Sequence, residues 1–276
     1  MMHYDLHCHS TASDGALSPE TLVERAIQQG VDVLALTDHD GTEGIVAATQ
    51  AAANTPLTLV PGVEISVSWY SHTIHIIGLN IDINNATLQS GLATLRHYRQ
   101  QRAEEIARRL AKAGIDGALE GASQYASKIM LGRMHFAQFL VEKNYASDTK
   151  DVFKRFLVRG KPGYVPGQWT DLASAVEWIV GAGGQAVIAH PLRYKLSATK
   201  LRRLIEEFKT AGGQGIEVSS GPQHPEQVHN IASLAKRYEL LASCGSDFHS
   251  PEQRWTELGR FLPIPASCTP VWAVWQ

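Results

Sequence analysis

The chain has 276 residues, 44% of them hydrophobic, with a formal net charge of −2 and a pI near 6.6. It is long enough to bury a substantial core in one or two domains, and its near-neutral balance argues against nonspecific nucleic-acid binding by the protein as a whole. Cys8, Cys244 and Cys268 are widely spaced and odd in number, which excludes a disulfide framework and a zinc-finger spacing. No apolar run reaches the roughly 18 residues of a membrane span, and the polar residues 1–15 predict no signal peptide. The expectation is a cytoplasmic protein without membrane contact.

The opening "YDLHCH" is strand-like and runs into a Ser/Thr/Asp/Gly loop holding Asp14. Alternate strand residues share a face, so His7 and His9 converge while Cys8 points away. "SPETLVERAIQQG" predicts a helix capped by Ser18, with Pro19 in its first turn and Gly30 at its end. "VDVLALTDHD" is an apolar strand, and residues 43–53 an Ala-rich helix. "LTLVPGVEISVSW" and "HTIHIIGLNI", separated only by "YS", predict a hairpin.

Residues 86–161 break this rhythm with helices at 86–113, 119–127, 133–143 and 149–158 and no convincing strand between them. From Arg96 to Lys161 there are 14 Lys/Arg against 7 Asp/Glu, a net of +7, which leaves −9 on the rest (−2 − 7). That asymmetry marks an inserted, basic helical subdomain with an anionic partner, although Glu and Arg/Lys at helical pairing distances also suit a solvated surface. Alternation returns with helices at 172–182, 198–211 and 225–238, interleaved with the strands "GQAVIAHP", "GIEVSS" and "LLASCGSDFH". Strands alternating with helices imply an α/β fold with a mainly parallel sheet, closed or nearly closed into a barrel whose site lies at the C-terminal strand ends. The expected division is barrel 1–85, insertion 86–165 and barrel 166–276.

His7, His9, His39, His75, His190 and His249, together with Asp14, Glu64 and Asp247, all fall at predicted strand ends, in the loops beyond them, or on the hairpin. One histidine in such a place is an ordinary polar residue. Nine ligand-type residues at equivalent positions suit a cluster of two or three divalent ions with mixed nitrogen and oxygen ligands, Mn²⁺ foremost, with Fe²⁺ or Zn²⁺ as alternatives. The chain lacks the G-x-S-x-G, P-loop and G-x-G-x-x-G motifs. Cys8 and Cys244 read as small buried residues rather than nucleophiles.

"DLHCHSTASDG", "ALTDHD", "PGVEIS", "HIIG", "AHP" and "GSDFH" resemble, in order, the motifs of the polymerase and histidinol phosphatase (PHP) family. "LEGA", "GRMHFAQFLVE", "RGKPGYVP" and "AHPLRYKLS" are similar to the subgroup of ribonuclease AM and the nucleoside 3′,5′-bisphosphate phosphatases. The resemblance implies a distorted (β/α)7 TIM-like barrel with a helical insertion and a trinuclear metal centre. His7, His9, Glu64 and Asp247 would hold one metal. Glu64, His75 and His190 would hold a second, and Asp14, His39 and His249 a third. Asp38 and Asp40, flanking His39, would orient the metal-bound imidazoles.

The implied activity is removal of the 3′-phosphate from nucleoside 3′,5′-bisphosphates and 5′-to-3′ trimming of short oligoribonucleotides or RNA 5′ ends, with no obligate protein partner. Arg133 and His135, at a helix start, would grip phosphate. Arg193, with Tyr194 and Lys195 beside it, would meet the entering substrate, and Lys161 and Tyr164 would close over a nucleotide. A histidinol-phosphate-type phosphatase and a noncatalytic metal- or RNA-binding module are the competing readings.

Overall fold

The structure is a computed structural model and describes residues 2–126 and 130–275. The first half of the chain gives β1 (Tyr4–Cys8), α1 (Pro19–Gln28), β2 (Val33–Leu36), α2 (Ile45–Ala52), β3 (Thr58–Trp69) and β4 (His72–Leu79). The helical stretch contains α3 (Ala86–Lys112), α4 (Ala118–Ser123), α5 (Arg133–Glu142) and α6 (Thr149–Val152), the last running into a π-helical turn at Phe153–Leu157. Next come α7 (Leu172–Gly181), β5 (Gln185–Ile188), α8 (Ala198–Thr210), β6 (Gly215–Ser220), α9 (Pro225–Arg237) and β7 (Leu241–Gly245). The helix expected at 119–127 reaches a residue outside the described ones, and the observed α4 ends at Ser123.

The seven strands lie in sequence order in one sheet. Every pairing is parallel except those of β4, which runs antiparallel to both β3 and β5. The hairpin explains this: a connection of only two residues cannot carry the chain back for a parallel strand. Phe248, just past β7, bridges Cys8 of β1, with His9 N–H donating to Phe248 O at 2.9 Å and Asp247 N–H to His7 O at 2.8 Å. The sheet thereby closes on itself into a barrel.

Alternation along the strands sorts side chains into two layers. Leu6, Val33, Ala35, Val60, Ile77, Leu79, Val187 and Ala189 form one cluster inside the sheet, covered at the chain's end by Val271 and Trp272. Val63, Ile65, Val67, Ile74, Ile76 and Ile188 face the opposite way and pack under α7, α8 and α9. By period two, Glu64 falls on the side of Val60 and His75 on the side of Ile77, so both point inward. On β1 a register shift between Asp5 and Cys8 adds a residue, so that Leu6 joins the inner cluster and the next residue, His7, also reaches the centre.

The expected boundary at residue 86 falls at the start of a continuous helix. Leu88, Leu92 and Leu95 of α3 pack in the barrel's core, whereas Ala103, Ile106 and Leu110 belong to a second core with Phe136, Leu140, Val152 and Leu157. The helix is shared between the two cores and brings the start of α5 beside Asp14, His39 and His75 at the C-terminal end of the barrel.

Candidate metal centre and its two clefts

The nine ligand-type residues meet at one place. His7 Nε2 lies 3.2 Å from His9 Nε2, 3.4 Å from Glu64 Oε2 and 3.2 Å from Asp247 Oδ1. His9 Nε2 lies 3.3 Å from Glu64 Oε2 and 3.2 Å from Asp247 Oδ1. The other Glu64 oxygen is 2.8 Å from His75 Nδ1 and 2.9 Å from His190 Nε2. Asp14 Oδ1 is 3.4 Å from His249 Nε2 and 3.8 Å from His39 Nε2.

Three groups able to hold an ion result: His7, His9, Glu64 and Asp247; His39, Glu64 and His75; and His9, Asp14, His39 and His249. Glu64 joins the first two, His9 the first and third, and His39 the second and third. The expected partition differs in detail, because His39 and His9 each stand between groups and His190 approaches Glu64 from the side.

The donor set fits divalent cations. Ligands about 2.1 Å from a tetrahedral cation stand about 3.4 Å apart, and the spacings of the first group match. Glu64 Oε2 lies 3.0 Å from His39 Nδ1, yet both atoms are buried without a hydrogen bond, as is Asp14 Oδ1. Buried polar atoms that converge without bonding to each other are what a shared cation would satisfy.

The electrostatics agree. Burial opposes the charged form of His7, but the carboxylates of Glu217, Asp247 and Glu64 hold its pKa well above the ordinary value. His9 is likewise pushed up to about 10, against burial, by Asp247 and Glu64. Burial raises Asp14, Glu64 and Asp247, yet the surrounding imidazoles hold all three well below the usual carboxylate range. The protonated imidazoles supply the positive charge that a bound cation would replace. Burial pushes the thiols of Cys8 and Cys244 well up, so neither is a nucleophile.

The backbone is strained at the same place. His190 has φ 26° and Asp247 φ 52°, left-handed values rare for residues with a Cβ. β7 stops at Gly245, so Asp247 and His249 stand on the loop beyond it and not on a continued strand as expected. The left-handed turn aims the Asp247 carboxylate back at His7.

Asp38 and Asp40 do not bond to imidazoles, which corrects the sequence expectation. Asp38 accepts from Ser10 N–H at 2.8 Å and from the hydroxyls of Ser10 and Ser13 at 2.7 and 2.5 Å, which fixes the loop after β1. Asp40 accepts from Ser66 N–H and from Arg99 Nε, each at 2.6 Å. The orienting group is Glu217 on β6, fully buried, which accepts from His7 Nδ1 at 2.9 Å and from His190 N–H at 2.6 Å. Sequence reasoning passed over Glu217; the signal was a carboxylate inside the apolar run "GIEVSS".

Two cavities flank the cluster. One, of about 200 Å³, lies between barrel and helical segment and is lined by His39, His75, Arg99, Arg102, Arg133 and Tyr164, among others. Burial lowers Arg102 to about 10, with Arg133 and Arg99 adding like-charge repulsion. Burial, then Arg99, also lowers Arg133, which stacks over Phe153 and has no carboxylate within ion-pair distance among the described residues. Three arginines with only one buried carboxylate partner, Asp40, form a site short of negative charge.

The second cavity, of about 570 Å³, lies on the far side of the cluster, over His190, Arg193, Asp247 and His249. Arg193 pairs there with the outer oxygen of Asp247.

Other expected substrate contacts fare differently. His135 is buried, and its Nδ1 accepts from Gly132 N–H at 3.0 Å, so it caps α5 and lines neither cavity. Lys161 is exposed on a turn whose backbone bonds run to Val158 and Tyr164, and it also lines neither cavity. Tyr194 donates its hydroxyl to Ala189 O at 2.8 Å and accepts from His75 N–H at 2.9 Å, which pins β4 to the loop after β5. Lys195 is exposed and makes no contact at the cluster.

A model of the PHP domain matches residues 5–220. The chain belongs to the PHP family. Within it, the chain is 50% identical over 275 residues to the 5′-3′ exoribonuclease Rnm of Escherichia coli, covering 99% of this chain and 94% of that protein. It is 46% identical to the 3′,5′-nucleoside bisphosphate phosphatase of Chromobacterium violaceum, covering 99% and 96%. A solved structure from C. violaceum, named an amidohydrolase with bound sulfate and no metal, superimposes with a TM-score of 0.93 at 46% identity, covering 98% and 95% of the two chains. Among the described residues, no helix of this PHP protein is long and apolar enough to cross a membrane.

Proposed function

We propose that the protein is a metal-dependent phosphoesterase that removes the 3′-phosphate from nucleoside 3′,5′-bisphosphates and shortens oligoribonucleotides from the 5′ end. The observation that carries this reading is Arg133, which has no carboxylate partner among the described residues, with Arg99 and Arg102 in a cavity that shares a wall with the ligand cluster. Amide hydrolysis uses similar metal ligands but has no need of such a cavity. A histidinol-phosphate-type phosphatase has no second phosphate to place in it. The names of the E. coli and C. violaceum relatives favour the same choice.

His7, His9, Glu64 and Asp247 would hold one divalent ion, Glu64, His75, His39 and His190 a second, and Asp14, His39, His249 and His9 a third. Mn²⁺ suits this nitrogen and oxygen set, as do Fe²⁺ and Zn²⁺. Bound there, the ions supply Lewis acidity that activates water and neutralises phosphate oxygens. The chain's own groups do the positioning. Glu217 fixes the His7 tautomer so that Nε2 faces the cluster. Arg133 takes the 5′-phosphate with its guanidinium fork, while Arg99 and Arg102 add field and Tyr164 closes the wall. Arg193 sits at the lip where the scissile phosphate lies. One geometry serves both substrates, because in each the 5′-phosphate anchors the nucleoside whose 3′-ester meets the cluster.

Phosphate release from adenosine 3′,5′-bisphosphate in Mn²⁺, abolished by a chelator, tests the activity. Arg133→Ala tests the anchor. It should raise KM at least tenfold for 5′-phosphorylated substrates and little for those with a 5′-hydroxyl. Equal loss on both refutes the anchor.

A further inference from the structure

We propose that the larger cavity is a second nucleoside subsite, with the exposed ring of Trp255 as its stacking platform. It would take the nucleotide downstream of the bond being cut and so separate oligonucleotide substrates from bisphosphates. The inference rests on the phosphoesterase reading and adds to it.

Direction comes first. The arginine cavity, the ligand cluster and the larger cavity follow one another, with Asp14 and Met134 lining both cavities. A strand whose 5′-phosphate lies at Arg133 and whose first 3′-ester lies at the cluster must continue into the larger cavity. Hydrolysis breaks the bond between phosphorus and the first nucleotide's 3′-oxygen, which leaves with a proton. Water's oxygen bonds to phosphorus, and the downstream nucleotide keeps the phosphate as its new 5′-phosphate. A bisphosphate carries nothing beyond that phosphorus and leaves this cavity empty.

The size and chemistry of the cavity follow suit. At about 570 Å³ it falls within the range of about 300–1,000 Å³ typical of small-molecule sites, whereas the arginine cavity at about 200 Å³ does not. Trp255 is 67% exposed and has no ring or cation partner among the described residues. Its ring lines the same cavity as His190, Asp247 and His249, and an open aromatic face there is a surface on which a base can stack.

The loop holding it is bonded internally and anchored just after the tryptophan. Thr256 bonds back to Gln253, Glu257 pairs with Arg25 at 2.6 Å, and Gly259 N–H donates to the buried Asp5 at 2.7 Å. The ring is therefore presented by a fixed turn. Gln223, Gln227 and Gln253 also line the cavity, and each carbonyl oxygen already accepts a bond, from Ser220 N–H, His224 N–H and Thr256 Oγ1 respectively. Those bonds hold the amide oxygens in place, and among the described residues none of the three side-chain NH2 groups has a hydrogen-bond partner, which leaves N–H donors for base and ribose oxygens. A platform of uncharged donors and one aromatic face binds nucleosides with little sequence preference.

The test compares kcat/KM for adenosine 3′,5′-bisphosphate and for the 5′-phosphorylated dinucleotide pApA, in wild-type protein, Trp255→Ala and Trp255→Phe. In Trp255→Ala the ratio of dinucleotide to bisphosphate kcat/KM should fall about tenfold, chiefly through KM, and Trp255→Phe should recover most of it. An equal loss on both substrates would place the ring against the first nucleoside or in the fold, and overturns the proposal. So does an unaltered ratio. Wild-type protein inactive on both substrates in Mn²⁺ would overturn the phosphoesterase reading itself, an outcome distinct from either.

Discussion

Replacing Glu217 by glutamine changes almost no volume and removes one acceptor from a site that uses two. The carboxylate accepts from His7 Nδ1 at 2.9 Å and from His190 N–H at 2.6 Å, in a place with no exposure to solvent. An amide offers one oxygen and one NH2. If the oxygen stays with His190, the NH2 faces His7 Nδ1, which must then accept, and the ring proton moves to Nε2, the atom aimed at the cluster. If the amide turns over, His7 keeps its tautomer and the His190 N–H faces another donor. Leaving one buried donor unsatisfied costs about 1–3 kcal/mol. Loss of a group that orients a ligand typically lowers metal affinity 10–100-fold, which is about 1.4–2.8 kcal/mol. The two routes agree in size.

Glu217→Gln should therefore bind Mn²⁺ 10–100-fold more weakly by calorimetry or chelator competition, and its activity should return largely at high Mn²⁺. Wild-type affinity in a folded Glu217→Gln protein would refute the orienting role and the tautomer argument with it.

Two further outcomes are expected. A Cβ on Gly245 would lie 2.3 Å from His7 Cβ and 2.6 Å from His7 N, where backbone cannot retreat, so Gly245→Ala should push β7 off β1. The cost should be about 3 kcal/mol, or roughly 5 °C in Tm, with loss of metal loading; an unshifted melt would show that the barrel closure gives way easily. His9, pushed up to about 10, holds a proton at neutral pH that a cation must displace. Mn²⁺ affinity should accordingly rise with pH up to about 10, roughly tenfold per unit for each proton released, and affinity flat between pH 6.5 and 8.5 would refute the coupling. In the metal-free protein the sign is opposite for stability. The raised His9 pKa stabilises the fold fully below about 6.5 and is lost as pH rises through about 10, so melts of chelated protein should fall across that window.

The alternation of strand and helix, the hairpin and the helical stretch were legible because local periodicity reports burial, and burial follows the two periods of the backbone. The nine ligand-type residues were legible for a related reason: most sit at or just beyond the ends of parallel strands, which share a rim, while Glu64 and His75 lie within the hairpin strands and reach the same place by the period of two. The cavity behind Arg133 was partly legible, through the charge asymmetry of residues 96–161. For His135 the sequence could not show that its Nδ1 caps α5, because only the distance to Gly132 N–H reveals that bond. The boundary at 86 was misread because α3 is a single helix serving two cores, a division invisible to its 3.6-residue period.

By itself the sequence determined which elements form and which residues carry ligand chemistry, since both depend on neighbours a few positions away. Only the tertiary structure decided how the ligands divide among three overlapping groups, that Glu217 orients His7 from 210 positions away, and that Trp255 looks into a cavity. Those facts depend on the register shift on β1 and a second one on β6 between Glu217 and Ser219, on left-handed turns at His190 and Asp247 and on the closure of β1 on the segment after β7. None of these leaves a repeating mark along the chain, because each is fixed by contacts between segments far apart in sequence.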